Sequence, residues 1–499
     1  MLEKINILEI GTGEYLKAFN IPEHVELISL DKIEPERKEY DILFLTRNLT
    51  QAEAKILRRM SKAYAVFYVE GLFLDAVTNQ FLDTMCGKMM LRQNLQKFLD
   101  EESEYYFSSS YGEKLSQSRI GIKPEFSGKV YSEGRWNNIV EGDFGSNFSQ
   151  IMYNKDNYPI YVGQTIEIWI EYEKDPTVEI MLKVRLNEMG SVDKMFDVMT
   201  FSENQMKDLV KIKNTQVDAF MSFSIFARGH GKLNIKGIHS RYSRNGLGAF
   251  IVGAKRYVTS AREEIFAYFE PGDFKPPLTV YFSGHKTREG FEGYFMMKSM
   301  GTPFLLIAEQ RLAGGGYYLG DEEYENMMVD ILEEHINKLG FSRNQVILSG
   351  ISMGSIGSLY YGAKLKPRAL ILGKPLANLG NIAANERLNR PGVFPESLDV
   401  LLKNTGSVSQ EGVDIFNTKI WKSFEKTDWS DTKIIVSYLY EDDYDNETYD
   451  GMLTKLADTG VEIYSKGSHG RHNDNTESVV AWFKGQYLKL LREDFGRNN

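Results

Sequence analysis

The sequence has almost no cysteine, no long apolar run and no excess of positive charge. Cys86 is the single cysteine among 499 residues, so the chain can form neither an internal disulfide nor a cysteine-rich zinc site. No segment approaches the roughly 18 uncharged apolar residues of a membrane span, and the N-terminal residues lack the apolar core and cleavage site of a signal peptide. The 59 Lys and Arg residues against 69 Asp and Glu residues leave a net charge of −10, so we expect no nucleic-acid partner. These features predict a cytoplasmic protein.

The pattern of apolar and polar residues divides the chain into three segments. In residues 1–118, short apolar strands alternate with helical stretches, which predicts a small Rossmann-like α/β domain. In residues 119–264 the pattern changes to a period of two, with Gly, Asn and Asp turns, which is typical of an antiparallel β-sandwich of the jelly-roll type. Strands and helices alternate again in residues 265–499, which predicts a doubly wound, mostly parallel sheet. Its ligands should bind beyond the carboxyl ends of its strands.

The motif Gly350-Ile351-Ser352-Met353-Gly354 ends a predicted strand and opens a helix rich in small residues. In a G-x-S-x-G elbow, the glycines allow the sharp strand-to-helix turn that exposes the serine at the helix N-terminus. The motif alone is weak evidence, because a random chain of this length and composition would contain it about a quarter of the time. The strand before it and the helix after it supply the specificity. We therefore predict an α/β-hydrolase-like domain with Ser352 as its nucleophile.

A serine nucleophile needs a base and an orienting acid, which this fold places after later strands. The predicted strand KIIVSYLY ends in the acidic run EDDYD, and the last strand is followed by SHGRHN, which holds two of the seven histidines. We predict His472 as the base, with His469 as the alternative. We predict Asp442 as the acid, with Glu441 close behind.

The oxyanion hole should combine the Met353 N–H with an N–H from the loop after the first parallel strand of this domain. In that loop, the pair Gly284-His285 lets the backbone approach a tetrahedral oxyanion. The alternative is that Gly284 serves only as a turn residue. We therefore predict Met353 and His285 as the oxyanion-hole residues.

A second glycine turn, Gly11-Thr12-Gly13, imitates a nucleotide-binding turn after the first predicted strand. A dinucleotide fingerprint would place a third glycine where Leu16 stands, so we expect no bound cofactor and interpret this domain as a packing or partner-binding module.

The middle segment shows no metal-ligand spacing, and no metal is expected. Its candidates for glycan contact are the aromatic and basic residues Trp136, Trp169, Arg228, His230, His239, Arg241 and Arg244.

Five runs of the sequence together carry a specific resemblance. They are ILEIGTGEYL near the N-terminus, GKLNIKGIHSRYSR in the middle, the elbow helix with its insertion GKPLANLGNIAANERLNRPG, the acidic YLYEDDYD, and the closing SKGSHGRHNDNTESVVAWF. Over essentially the whole chain, the sequence resembles the Asp family of accessory secretory proteins, the second of its set. These proteins belong to the accessory Sec system of Gram-positive cocci. The insertion after the elbow helix is unlike a generic lipase.

The resemblance implies work in the cytoplasm with two further accessory secretory proteins and an accessory SecA motor, to export a serine-rich repeat glycoprotein adhesin. Peripheral association at the inner face of the membrane is compatible with it. It also implies O-acetylation of the adhesin's N-acetylglucosamine. By the resemblance, Ser352 takes the family's serine position and His472 its histidine position, and the acid position falls on Glu441 or Asp442. The family acid is expected to be Glu, which leaves the choice of acid open. An acetyl donor such as acetyl-CoA would be a co-substrate. The alternatives are a non-catalytic scaffold of the secretion complex and a carbohydrate esterase.

Overall fold

The computed structural model describes residues 4–29, 39–115, 117–311, 316–457 and 459–497. Its strands form three sheets of five, ten and eight strands, so the chain is a mixed α/β protein. No helix in the described ranges is long and apolar enough to cross a bilayer. Outside the main helices, the chain forms short turns of 3₁₀ type at Leu16–Ala18, Ser103–Tyr106, Gln117–Arg119, Gln205–Lys207 and Arg343–Gln345, and a π turn at Phe98–Glu102.

The N-terminal sheet is entirely parallel. Its strands are β1 (Ile5–Ile10), β2 (Val25–Ser29), β3 (Ile42–Leu45), β4 (Val66–Val69) and β5 (Lys88–Met90), in the order β2-β1-β3-β4-β5. Its helices are α1 (Gln51–Met60), α2 (Ala76–Thr84) and α3 (Arg92–Lys97). A capping box between Thr50 and Glu53 starts α1. The reversal of strand order between β1 and β3 is typical of doubly wound α/β folds.

The middle sheet is antiparallel throughout. Its strands are β6 (Gly112–Lys114), β7 (Ile120–Ile122), β8 (Lys129–Glu133), β9 (Asn137–Asn154), β10 (Tyr158–Ile160), β11 (Thr165–Lys174), β12 (Val178–Glu188), β13 (Met195–Ser202), β14 (Val210–Lys213) and β15 (Ala219–Tyr242). The long strand β15 pairs with β12 through its first half and with β11 through its second. Inward side chains of β9, β11, β12 and β15 share one apolar core, as the period of two predicts.

The third sheet is parallel except at one edge. Its strands are β16 (Lys255–Val258), β17 (Glu264–Glu270), β18 (Leu278–Phe282), β19 (Phe304–Glu309), β20 (Val346–Ile351), β21 (Ala369–Gly373), β22 (Lys433–Leu439) and β23 (Ile463–Ser468). They follow the order β16-β17-β19-β18-β20-β21-β22-β23, and only β16 and β17 run antiparallel to their neighbours. Its helices are α4 (Tyr294–Ser299), α5 (Glu322–Leu339), α6 (Met353–Leu365), α7 (Leu379–Leu388), α8 (Ser397–Thr405), α9 (Gln410–Glu425), α10 (Thr448–Leu456) and α11 (Thr476–Glu493).

The sheets do not divide where the sequence pattern changes. Strand β6 lies before residue 118 but pairs with β15 of the middle sheet. Strand β16 lies before residue 264 but pairs with β17 of the third sheet. Strands of three or four residues are too short to show a period, so the pattern cannot assign them to a sheet.

Buried ion pairs join the middle sheet to the third sheet. His239 and Arg241 of β15 meet Glu289, which follows β18, and Arg241 also donates to both carboxylate oxygens of Glu264 in β17. His239 Nε2 lies 3.3 Å from Glu171 Oε1. Each of these five residues is at most 6% exposed. Burial opposes the charged imidazole, but the carboxylates of Glu289 and Glu171 outweigh it and raise the pKa of His239 to about 9.

The contribution of His239 to stability should therefore disappear at alkaline pH. Its folded-state pKa of about 9 lies above the ordinary value of 6.5, so the stabilisation is complete below pH 6.5 and is lost as the pH rises through 9. We expect the difference in Tm between the wild type and His239→Gln to be largest near pH 6.5 and to shrink above pH 9. Thermal unfolding followed by circular dichroism measures it. A difference independent of pH would contradict the assignment.

Candidate active site

Ser352 occupies a sharp turn between β20 and α6. Its backbone is left-handed in φ, at φ 54° and ψ −124°, which a non-glycine residue adopts at a cost. A Cβ on Gly350 would lie 2.2 Å from the backbone of Gly354, and a Cβ on Gly354 would lie 2.1 Å from the carbonyl oxygen of Phe282. Both motif glycines are therefore required by close backbone contacts, and the motif forms the turn that the sequence predicts.

Ser352, His472 and Asp442 form one chain of hydrogen bonds. Ser352 Oγ lies 2.7 Å from His472 Nε2, and His472 Nδ1 lies 2.8 Å from Asp442 Oδ2 and 3.0 Å from Oδ1. His472 is 2% exposed and Asp442 is 6% exposed. Asp442 Oδ1 also accepts the backbone N–H groups of Tyr444 and Asp445. The carboxylate is thus held so that Nδ1 carries the proton and Nε2 is free to accept one from the serine.

Glu441 and His469 pair with each other, away from Ser352. His469 Nδ1 lies 2.7 Å from Glu441 Oε1, and the Gly470 N–H donates to Glu441 Oε2 at 2.6 Å. The two side chains are exposed. Of the alternatives left open by the sequence, the geometry brings Asp442 and His472 to the serine and leaves Glu441 and His469 hydrogen-bonded to each other at the surface. In this chain, an aspartate therefore contacts the histidine where the family resemblance leads us to expect a glutamate.

Lys374 holds the loop that carries His472, and sequence reasoning did not single it out. It follows β21, is 3% exposed, and donates from Nζ to the carbonyl oxygens of His472 and Asp474 and to Thr476 Oγ1. Burial lowers the pKa of Lys374. From the other side, the His472 N–H donates to Asp443 Oδ1 at 3.0 Å. The sequence signal that could have identified Lys374 is its position directly after the buried strand β21, which pairs with the strand of the elbow.

An aromatic wall stands beside the histidine, and sequence reasoning missed it as well. The Tyr444 ring stacks on His472 with centroids 4.2 Å apart, and Phe394 meets Tyr444 and His285 edge-on. The Arg390 guanidinium lies 4.2 Å from the centre of the Tyr444 ring. Arg390 and Phe394 lie between α7 and α8. Arg390 belongs to the insertion that sets this sequence apart from a generic lipase, and Phe394 follows shortly after its end.

The loop after β18 lies against the elbow. A Cβ on Gly284 would lie 3.1 Å from the carbonyl oxygen of Ile351. The Gly284 N–H donates to Glu292 Oε2 at 2.6 Å and is therefore already engaged. Within the described parts of the chain, neither the Met353 N–H nor the His285 N–H donates a hydrogen bond. Both amides that the sequence predicts for the oxyanion hole are therefore without another acceptor among the described residues.

Two groups outside this site resemble ligand-binding centres, namely the glycine turn after β1 and a buried cluster between the middle sheet and the third sheet. The Glu9 carboxylate accepts the backbone N–H groups of Tyr15 and Leu16, so an internal anion takes the amides that a phosphate would need. Among the described residues, one buried group has metal-ligand geometry, namely Glu171, His239 and Glu264. The guanidinium of Arg241 binds both oxygens of Glu264, so this group does not suit a cation.

Most side chains considered for glycan contact are inside the protein. Arg228 and His230 keep some exposure. The others are at most 4% exposed: Trp136, Trp169, His239, Arg241 and Arg244. Two guanidinium groups, of Arg256 and Arg262, lie within 4.0 Å of the centre of the Trp169 ring. Arg244 donates to four backbone carbonyl oxygens, and Arg241 binds buried carboxylates. Most of the candidate side chains are therefore not available to a sugar.

A serine at a strand-to-helix elbow, bonded to a histidine and an aspartate at the edge of a mostly parallel sheet, is the arrangement of an α/β-hydrolase-like protein. The family described as the accessory Sec system GspB-transporter, which comprises the second of the Asp proteins, matches residues 5–497. The chain belongs to this family, which confirms the resemblance seen in the sequence.

Individual relatives match over nearly their full length. The chain is 37% identical to the second Asp protein of the accessory Sec system of Streptococcus gordonii, with 100% of both proteins covered. It is 34% identical to the protein of the same name from Staphylococcus aureus (strain NCTC 8325 / PS 47), over 94% of this chain and 90% of the relative. Among solved structures, it is similar to a chain of the Glycosylation Associate Protein (Gap123) complex from Streptococcus agalactiae. That match has a TM-score of 0.86, 34% identity and 100% coverage of both chains.

The two neighbouring carboxylates provide a matched pair of variants. We expect Asp442→Asn to slow the labelling of Ser352 by a fluorophosphonate about 10²-fold or more, because the amide no longer holds the histidine in the required tautomer. Glu441→Gln, one residue away, should change the rate less than about threefold, because its carboxylate contacts the exposed His469. Labelling rates followed by mass spectrometry measure both. Equal slowing in the two variants would contradict the assignment of the acid.

Proposed function

We propose that the protein is an O-acetyltransferase that modifies N-acetylglucosamine on a serine-rich repeat glycoprotein adhesin and takes part in the export of that adhesin. The observation that carries this proposal is the hydrogen-bond chain from Ser352 through His472 to Asp442 at the elbow. Membership of the accessory Sec system family supports the secretory part of the proposal.

The first half of the reaction forms an acetyl-serine. His472 Nε2 accepts the proton of Ser352 Oγ as the oxygen attacks the acetyl carbonyl of the donor, for which acetyl-CoA is the proposed co-substrate. The Met353 and His285 amides donate to the oxyanion of the tetrahedral intermediate. Asp442 stabilises the imidazolium that forms. When the intermediate collapses, the bond to the leaving group breaks, and His472 returns the proton to that leaving group.

The second half transfers the acetyl group to the sugar. A glycan hydroxyl gives its proton to His472 Nε2 and attacks the acetyl-serine carbonyl, and collapse of the new tetrahedral intermediate regenerates Ser352 with its proton. Water in place of the sugar would make the same site an esterase. The Phe394 ring, which is partly exposed and packs edge-on against Tyr444, supports the transferase, because an aromatic ring near the base offers a surface for a sugar ring and leaves less room for water.

We infer that the protein works with two further accessory secretory proteins, with an accessory SecA motor and with the glycoprotein. The similar Streptococcus agalactiae chain comes from a complex named Gap123, which supports accessory proteins as partners. We place this work in the cytoplasm, with peripheral association at the inner face of the membrane through the translocase.

Removal of the nucleophile or of the base should abolish acetylation of the adhesin. We expect Ser352→Ala and His472→Gln to abolish acetylation of the adhesin's N-acetylglucosamine, because neither variant can form the acyl-enzyme. The matched control His469→Gln should acetylate normally, since His469 faces Glu441 at the surface. Mass spectrometry of glycans from the secreted adhesin gives the result. Normal acetylation in Ser352→Ala would contradict the enzymatic proposal.

A scaffold is the second candidate function, because the first two sheets contribute none of the three residues of the hydrogen-bond chain. Under the combined proposal, Ser352→Ala keeps its complex with the accessory proteins and much of the adhesin export. Immunoprecipitation and the amount of adhesin at the cell surface measure these quantities. A scaffold without catalysis instead predicts that the purified wild type neither hydrolyses small acetyl esters nor reacts with a serine-directed probe.

A further inference from the structure

The loop between β18 and α4 carries the His285 amide and is tied to the middle sheet. Glu289 in this loop is buried, and its two carboxylate oxygens contact His239 Nδ1 and Arg241 Nε of β15. The Glu289 N–H donates to the carbonyl oxygen of Gly112 in β6 at 2.8 Å. Both the side chain and the backbone of Glu289 are therefore held by strands outside the third sheet.

A close approach of the two sheets makes these contacts specific. A Cβ on Gly112 would lie 2.9 Å from Glu289 Cβ and 2.8 Å from the Phe250 ring, so β6 reaches the loop only because residue 112 is glycine. The Arg241 guanidinium packs against the rings of Phe266 and Phe250, which fixes its position. The contact between the sheets leaves little freedom for Glu289.

The other end of the loop is tied to its own start. Glu292 Oε2 accepts the Gly284 N–H, and the Glu292 N–H donates to Ser283 Oγ at 3.0 Å. Lys286 Nζ also donates to the carbonyl oxygen of Phe291 at 2.8 Å. The residues between Gly284 and Glu289 therefore span two fixed points, and the His285 amide lies between them.

The charges explain why Glu289 stays in place. Arg241 bridges Glu289 to Glu264 of β17, and His239 lies between Glu289 and Glu171 of β11. A buried carboxylate that lost these partners would remain as an uncompensated charge. The position of the loop is thus coupled to ion pairs that need both sheets.

We propose that Glu289, Arg241 and His239 are positioning residues, through which the middle sheet holds the His285 amide where the oxyanion of acyl transfer forms. This inference rests on the proposed function. It assigns the middle sheet a part in the chemistry, although none of its side chains contacts Ser352 or His472 in the described structure. The three residues act through the backbone of the loop and do not touch the reacting atoms.

Variants of Glu289 test this positioning role on the full chain with a small acetyl ester as substrate. Glu289→Ala should lower kcat about 10- to 100-fold with KM changed less than about twofold, because the amide acts on the transition state. The affinity for a trifluoromethyl ketone, which mimics the tetrahedral intermediate, should fall by the same factor as kcat/KM. Glu289→Gln should recover part of the loss, since its amide can still contact Arg241 or His239. Thr287→Ala, an exposed change in the same loop, is the matched control and should leave kcat unchanged.

Hydrogen exchange of the loop separates this inference from the proposed function. Peptides covering residues 283–293 should exchange faster in Glu289→Ala than in the wild type, while peptides of α6 stay protected. If Glu289→Ala does not fold, Arg241→Lys gives the same test, because it keeps the charge and loses the planar contact with two carboxylates. A folded variant with a loosened loop and wild-type kcat would overturn the positioning role and leave the proposed function standing. A wild type without turnover or labelling of Ser352 would overturn both.

Discussion

The backbone turn at Ser352 is the constraint on which the rest of the third sheet depends. A positive φ at a serine costs about 1–3 kcal/mol, so the turn persists only where its surroundings hold it. The Ser352 N–H donates to the carbonyl oxygen of Gly373 in β21, and Gly354 packs on the end of β18. Buried strands on both sides therefore fix the serine at the carboxyl edge of the sheet. His472 and Asp442 reach it from the ends of β23 and β22.

Burial explains the roles that we propose for the two neighbouring acids. Asp442 is surrounded by protein and accepts two backbone N–H groups in addition to the histidine, so its carboxylate is held in one orientation. Glu441 faces solvent, and backbone and histidine hydrogen bonds lower its pKa there. An exposed pair of this kind is screened by water and contributes little to stability. The shorter side chain suffices because the end of β22 brings residue 442 close to the histidine.

The sequence predicts the local parts of the site and misses the parts that depend on tertiary contacts. The elbow is a short motif in a strand-to-helix context, and the acid and the histidine follow strands in a known chain order, so Ser352, Asp442 and His472 could be nominated from spacing. Neither a short motif nor a known chain order marks Lys374 or Phe394 in the sequence. Their contacts with the histidine loop and the aromatic wall arise when distant segments meet. The buried pairing of Arg241 with Glu289 cannot be predicted from the sequence either, because arginine residues usually lie at the protein surface.

The central claim is that Ser352 accepts an acyl group with His472 as its base, and trapping the acyl-enzyme tests it most directly. The purified full-length protein would be mixed with an activated acetyl ester, quenched with acid and digested, and its peptides analysed by mass spectrometry. Our account predicts an acetyl group on the peptide that contains Ser352, and its loss in His472→Gln but not in His469→Gln. The absence of that adduct in the wild type, or its undiminished formation in His472→Gln, would contradict the account.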